Sequence, residues 1–205
     1  MKVLVKICGL TSREAVAAAV EAGADIAGFV FAESPRRLMP EQAVQLAEGL
    51  PDDIPRVAVM QHPSVDDAAR VLRDFRPSFL QTDWQDFGIV RMSDTTRPLP
   101  VLRAGRSAPP KMPRLVLFEG PASGSGQTVD WEKAATLARQ TSMVLAGGLN
   151  PDNVGDAIRQ VRPYGVDVSS GVESEPGIKD PELIVRFVQA VREAQTTLDI
   201  KGEAQ

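Results

Sequence analysis

The stretch from Met143 to Glu173, MVLAGGLNPDNVGDAIRQVRPYGVDVSSGVE, constrains the chain more than any other. It reads as strand, glycine turn, helix, strand and second glycine turn. Met143-Val144-Leu145-Ala146 is a short apolar run, and Gly147-Gly148 lets the backbone turn sharply at its end. Asn150-Pro151 supplies an N-cap and a first-turn proline for a helix running through Val154, Ala157, Ile158 and Val161. Tyr164 to Val168 is the next strand, and Ser169-Ser170-Gly171 follows it. Consecutive strands that end in small residues with free N–H groups can cradle an anion, because unpaired amides carry partial positive charge. The plainer alternative is a pair of ordinary turns that need glycine for geometry alone.

The rest of the chain repeats this alternation. Val3 to Ile7 is an apolar strand ending at Cys8-Gly9, and Thr11 or Ser12 caps the helix after it, which Gly23 closes. Ile26 to Phe31 is a strand, and Ala32 to Leu38 is a loop carrying Ser34-Pro35-Arg36-Arg37. A helix from Pro40 to about Gly49, a strand from Val57 to Met60, a helix from Val65 to Phe75 and a short strand at Phe79-Leu80-Gln81 come next. The middle is weaker: Gln85 to Thr96 offers one stubby helix before a strand at Pro100 to Arg103, and Gly105 to Pro113 is too proline-rich for a helix. Leu115 to Glu119 is a strand, Gly120 to Thr128 a long small-residue loop with the composition of a lid, and Trp131 to Arg139 a helix. Pro181 to Ala194 is a last amphipathic helix, with a polar tail expected to fray beyond it.

These strands are continuous apolar runs, as buried parallel strands are. Eight of them alternating with helices predict a single small (β/α)8 TIM barrel over residues 1–195, with degenerate helices around the fifth strand. A doubly wound open sheet is the structural alternative. The chain's 205 residues suffice for one sizeable core. A net charge of −4 with interleaved signs argues against a nucleic-acid surface. No apolar run approaches the ~20 residues of a membrane span. One cysteine excludes an internal disulfide and fits a reducing cytoplasm, and one histidine gives little support to a zinc cluster or a Ser-His nucleophile.

In such a barrel, functional residues lie just after the strand C-termini. Those positions hold Cys8, Arg36, His62, Gln81, Asp83, Arg103, Glu119, Gly147-Gly148 and Ser169-Ser170-Gly171. One thiol, a strand-end carboxylate, two arginines and a double phosphate cradle suit acid–base chemistry on an anionic phosphorylated small molecule. Lys6 and a nearby helix start are expected to lower the Cys8 pKa, although most lone cysteines are buried packing residues. Glu119 ends an apolar strand, where a carboxylate can be kept protonated as a general acid; a solvated loop carboxylate is the alternative. Asp130-Trp131 reads as a cap and a packing anchor, His62 as a lesser candidate for substrate contact, and Arg37 as surface charge.

With those residues in view, the chain resembles the phosphoribosylanthranilate isomerases of tryptophan biosynthesis. The resemblance lies in KICGLT (6–11), GFVFAESPRRL (28–38), SGSGQTVDW (123–131), AGGLNPDNV (146–154) and GVDVSSGVESEPGIKD (165–180). It implies an Amadori rearrangement of N-(5-phosphoribosyl)anthranilate without metal or organic cofactor. Cys8 would be the general base, Arg36 would hold the anthranilate, and Gly147, Gly148, Ser170 and Gly171 would bind the phosphate. Gln81, Asp83 and Arg103 are further candidate substrate contacts. Two departures stand out. The family's strand-6 aspartate, its general acid, is here Glu119, and its QLHG segment is here Gln81-Thr82-Asp83-Trp84. His62, in addition, stands where asparagine is usual. Arg103 could neutralise Asp83 or contact substrate. A phosphosugar epimerase or phosphate-binding synthase on the same scaffold, and a non-catalytic phosphate-binding barrel, are the alternative readings; either a monomer or a homodimer is compatible with the sequence, and no membrane partner is expected.

Overall fold

Eight parallel strands close into a barrel in the computed structural model, which describes residues 2–121 and 129–203, the last five of these by backbone alone. The strands are β1 (Leu4–Cys8), β2 (Ile26–Val30), β3 (Arg56–Val59), β4 (Phe79–Asp83), β5 (Arg97–Arg103), β6 (Leu115–Glu119), β7 (Ser142–Leu145) and β8 (Gly165–Val168). Each pairs with the next in sequence, and β8 returns to β1 in the register Leu4–Gly165 to Ile7–Val168. The open-sheet alternative is thereby excluded. Helices α1 (Arg13–Ala22), α2 (Pro40–Ala47), α3 (Val65–Asp74), α4 (Trp131–Ala138), α5 (Val154–Val161) and α6 (Pro181–Glu203) surround it.

Two apolar layers follow from this arrangement. Side chains such as Val57, Leu99, Leu117 and Val144 form a buried cluster separate from the one that packs the helices against the strands. Helix starts are chemically marked. Ser12 Oγ accepts from Ala15 N–H at 3.1 Å to cap α1, whereas Thr11 is drawn away to donate to Gly177 O at 2.8 Å. Asp130 accepts from the amides of Glu132 and Lys133 and caps α4, as its sequence position indicates.

Several boundaries differ from the sequence reading for identifiable reasons. Helix α5 starts at Val154, not at Pro151, because Asn150 Oδ1 accepts from the amides of Asp152 and Asn153 and folds those residues into a turn first. Strand β5 begins at Arg97, earlier than its prolines suggest. Arg97 N–H donates to Ser78 O toward β4, so alternation turns the missing donors of Pro98 and Pro100 the other way, where β6 pairs only from Val101 onward. A 3-10 turn at Trp84–Gly88 stands in for the helix after β4, and no helix separates β5 from β6. Two short strands, β9 (Glu173–Glu175) and β10 (Ile178–Lys179), follow β8 as an unanticipated hairpin.

The chain after Ala194 does not leave the helix as expected: α6 continues to Glu203. Gln195 Oε1 accepts from Val3 N–H at 3.0 Å, and Arg192 donates to Val3 O, Gly23 O and Asp25 Oδ2 at 2.7–3.0 Å. The last helix is thus fastened to the start of the first strand. Arg192→Ala is expected to lower unfolding free energy by about 1–3 kcal/mol, measured by denaturant titration, because several charge-assisted bonds go together.

Candidate active site

The C-terminal ends of the strands converge on a cleft lined by Cys8, Arg36, Gln81, Arg103, Glu119 and Ser169, among others. Cys8 is the last residue of β1, and Gly9 turns the chain away with a φ of +75°. A side chain at Gly9 would lie 2.5 Å from Arg36 Cδ, so glycine is required by conformation and by space. Across the strand pair, a Cβ on Gly28 would sit 3.1 Å from Cys8 Sγ. Gly28 therefore keeps room for the thiol.

Beneath Cys8, Lys6 Nζ donates to Asp167 Oδ1 at 2.7 Å, with both residues buried. Burial pushes the Cys8 thiol up, and Lys6 pulls it down without reversing the balance. The expectation of a lowered thiol pKa is therefore corrected: desolvation outweighs the neighbouring cation. Lys6 itself remains a firm cation, since Asp167 and Cys8 more than offset the burial that opposes its charge.

Arg36 is held from below. Its Nε and Nη2 donate to the two carboxylate oxygens of Glu173, each at 2.7 Å. Glu173 also accepts from Lys179 Nζ at 2.5 Å and Gly177 N–H at 3.2 Å. Burial alone would raise the Glu173 carboxyl, but these donors hold it down at about 2. The hairpin β9–β10 thus holds the guanidinium of Arg36, which lines the cleft, through Nε and Nη2. Glu173, Lys179 and Asp167 were not singled out from sequence, whereas Lys6 was named there as the cation beside Cys8. A charged residue within the apolar run GVDV was the available signal for Asp167; for the Glu173–Lys179 pair there was none.

On the opposite arc, Arg103 Nε donates to Asp83 Oδ1 and its Nη1 to Glu119 Oε1, both at 2.7 Å. The pairing of Arg103 with Asp83 considered from sequence is present. Glu119 does not face an apolar wall as anticipated, because a guanidinium lies directly against it. His62 Nε2 is 3.3 Å from the other Asp83 oxygen, so two departures from the family pattern meet in space. Gln81 Oε1 is buried and has no hydrogen-bond partner among the described residues. An orphaned acceptor in a cleft is costly unless a ligand supplies the donor.

The two glycine turns lie side by side. Gly147 and Gly148 have φ values of +93° and +64°. A Cβ on Gly171 would fall 1.9 Å from Leu149 O, so backbone packs directly on backbone there. Among the described residues the amides of Gly147, Gly148, Ser170 and Gly171 meet no protein acceptor. Ser169 joins this cradle to the cleft, and Lys179 Nζ donates to its carbonyl at 3.1 Å. The Gly120–Thr128 loop expected as a lid falls, at 122–128, outside the described residues. Among described residues no cluster of His, Cys, Asp and Glu is arranged to hold a metal, and no helix is long and apolar enough to cross a membrane.

A closed parallel barrel with a thiol, a carboxylate and free backbone amides gathered at one rim has the architecture of a barrel enzyme. Comparison with known proteins narrows that class. A sequence model of N-(5'phosphoribosyl)anthranilate (PRA) isomerase matches residues 103–190. The chain is 39% identical to the N-(5'-phosphoribosyl)anthranilate isomerase of Streptococcus mutans, over 92% of this chain and 98% of that one. Its relative from Listeria innocua is 38% identical with the same coverage of both chains. Among solved structures, TrpF from Jonesia denitrificans superposes with a TM-score of 0.82 at 37% identity, covering 95% and 98% of the two chains. Phosphoribosyl anthranilate isomerase from Thermotoga maritima superposes at 0.81 and 30% identity, covering 94% and 100%. The chain belongs to the N-(5'-phosphoribosyl)anthranilate isomerase family.

Two variants test this geometry. Gly171→Ala forces the paired loops apart and is expected to raise KM for phosphorylated substrate at least about tenfold in steady-state assays, since a displaced amide cradle loses charge-assisted bonds. Glu173 has its pKa depressed on folding, so it contributes stability above its unfolded pKa, and that contribution is lost as pH falls from about 4.5 toward about 2. The wild type is therefore expected to melt above Glu173→Gln at neutral pH, with the gap in melting temperature closing across that window.

Proposed function

We propose that Cys8 and Glu119 are the base and acid of the isomerisation that family membership assigns to this chain. That reaction is the Amadori rearrangement of N-(5-phosphoribosyl)anthranilate to 1-(2-carboxyphenylamino)-1-deoxyribulose 5-phosphate, in tryptophan biosynthesis. A related isomerase structure, with a TM-score of 0.78, holds reduced 1-(o-carboxyphenylamino)-1-deoxyribulose 5-phosphate, a ligand of this chemistry. The observation that carries the assignment is the placement of Cys8, at the end of β1, and Glu119, at the end of β6, on the walls of one cleft beside the amide cradle.

Glu119 delivers a proton to the furanose ring oxygen as the C1′–O bond breaks and the anthranilate nitrogen forms C1′=N. The Cys8 thiolate then removes the C2′ proton, and the electron pair moves to give the enolamine, which becomes the ketone as Cys8 returns the proton to C1′ and the C2′ hydroxyl gives its own proton back to the Glu119 carboxylate. Lys6, beside Cys8, opposes the burial that raises the thiol and favours the thiolate that acts as base. Arg36, which lines the cleft, receives the anthranilate carboxylate, and Gln81 Oε1 accepts a substrate O–H or N–H. The amides of Gly147, Gly148, Ser170 and Gly171 take the phosphate. Ser169 links the two halves of the site. Both Asp83 oxygens are engaged by neighbours, so its part is to hold Arg103 rather than to touch substrate.

Loss of anthranilate-type fluorescence from freshly made phosphoribosylanthranilate measures turnover. Cys8→Ala and Glu119→Gln are each expected to lower kcat by about 10²–10⁴ with melting temperature retained. Glu119→Asp keeps the acid and is expected to lose far less. Full activity in Glu119→Gln would remove it from the acid's role.

A further inference from the structure

The end of β3 and the end of β4 carry a chain of ionisable groups that the reaction as described uses only at its last member. Asp86, in the 3-10 turn after β4, accepts from Thr82 Oγ1 at 2.5 Å and from His62 N–H at 3.2 Å through one oxygen. Its other oxygen lies 3.1 Å from His62 Nδ1. His62 Nε2 lies 3.3 Å from Asp83 Oδ2, Asp83 Oδ1 accepts from Arg103 at 2.7 Å, and Arg103 donates to Glu119 at 2.7 Å. Asp83 and Arg103 are buried, whereas the His62 side chain is 57% exposed.

Three features show that this is a built arrangement. His62 has a φ of +47°, an uncommon conformation for a residue with a side chain, and the bond from its own amide to Asp86 holds it there. Both ring nitrogens face carboxylate oxygens, Nδ1 toward Asp86 at 3.1 Å and Nε2 toward Asp83 at 3.3 Å, so the ring is held between the two carboxylates. Finally, Arg103 is a planar fork whose aim at Glu119 is set by where its Nε is tethered, and Asp83 is that tether.

We infer that His62 and Asp83 are positioning residues that set the angle of Arg103 and, through it, the placement of the Glu119 carboxyl that protonates the ring oxygen. His62 Nε2 engages one oxygen of Asp83 and leaves the other to Arg103, so the carboxylate is held on both sides. This inference rests on the reading of Glu119 as the proton donor. Ring opening is the step it affects. Substrate affinity, which depends on Arg36 and the amide cradle on other arcs of the rim, stays nearly unchanged.

The test combines kinetics with the chain's single histidine, whose imidazole gives one set of ring resonances. Asp83→Asn is expected to lower kcat by about ten- to a hundredfold with KM changed less than about threefold, since a misplacement near 1 Å is costly in rate. His62→Asn, a residue that tolerates the left-handed backbone, is expected to lower kcat by about three- to tenfold. The double variant is expected to be no worse than Asp83→Asn alone, because His62 acts through Asp83. Asp83→Glu should recover part of the loss, which a purely packing role for the site would not allow. By ring-nitrogen NMR, Glu119→Gln is expected to displace the His62 signals in the wild-type background and not in Asp83→Asn. Multiplicative losses in the double variant, a KM effect without a kcat effect, or equal NMR displacement in both backgrounds would overturn the inference. A folded wild type that leaves phosphoribosylanthranilate unchanged overturns the functional reading instead, and the NMR comparison still decides whether Asp83 couples His62 to Glu119.

Discussion

The buried ion pair of Lys6 and Asp167 is the interaction on which the rest of the site depends. Lys6 and Asp167 are register partners across the β1–β8 seam, where the first strand meets the last and the barrel closes. Two charges inside a barrel lose hydration, and the loss is tolerable only with a short, well-aligned contact. The 2.7 Å bond meets that condition, and removing either partner would leave a buried charge alone. Because the pair lies directly under Cys8, the same contact that joins the seam also sets the electrostatic floor of the thiol.

Three ionic groups divide the rim between them. Lys6–Asp167 lies beside Cys8; Glu173 with Lys179 directs Arg36; and the path from Asp86 through His62, Asp83 and Arg103 ends at Glu119. Each buried cation is matched by a carboxylate from a different strand or loop, so each functional side chain is held by an element other than its own. That cross-bracing limits rotamer freedom at the moment of reaction, and preorganised polar groups in a water-poor cleft act more strongly than in solution. The amide cradle is braced differently, by the direct backbone contact of Gly171 with Leu149.

Residues with a covalent or conformational signature were legible in the chain. Cys8, Glu119 and Arg103 stand at strand ends, and the Gly147-Gly148 and Ser169–Gly171 turns follow the last two strands of the barrel. What stayed hidden was anything defined by a partner. The hairpin carrying Glu173 and Lys179 has no long apolar run to announce it. His62 looked peripheral because its neighbours Asp83 and Asp86 are more than twenty positions away in sequence. The start of α5 was placed early because an asparagine and a proline suit a helix start and also suit the turn that Asn150 makes here.

From the sequence alone came the alternation of apolar strands and helices, the parallel barrel it requires, and the inventory of strand-end groups. Those are local properties, written in periodicity and in the special backbone needs of glycine and proline. Tertiary structure alone decided the protonation balance of Cys8, the direction of Arg36 and the surroundings of Glu119. Each depends on how deeply the group is buried and on which charges surround it, and closure of the barrel sets both.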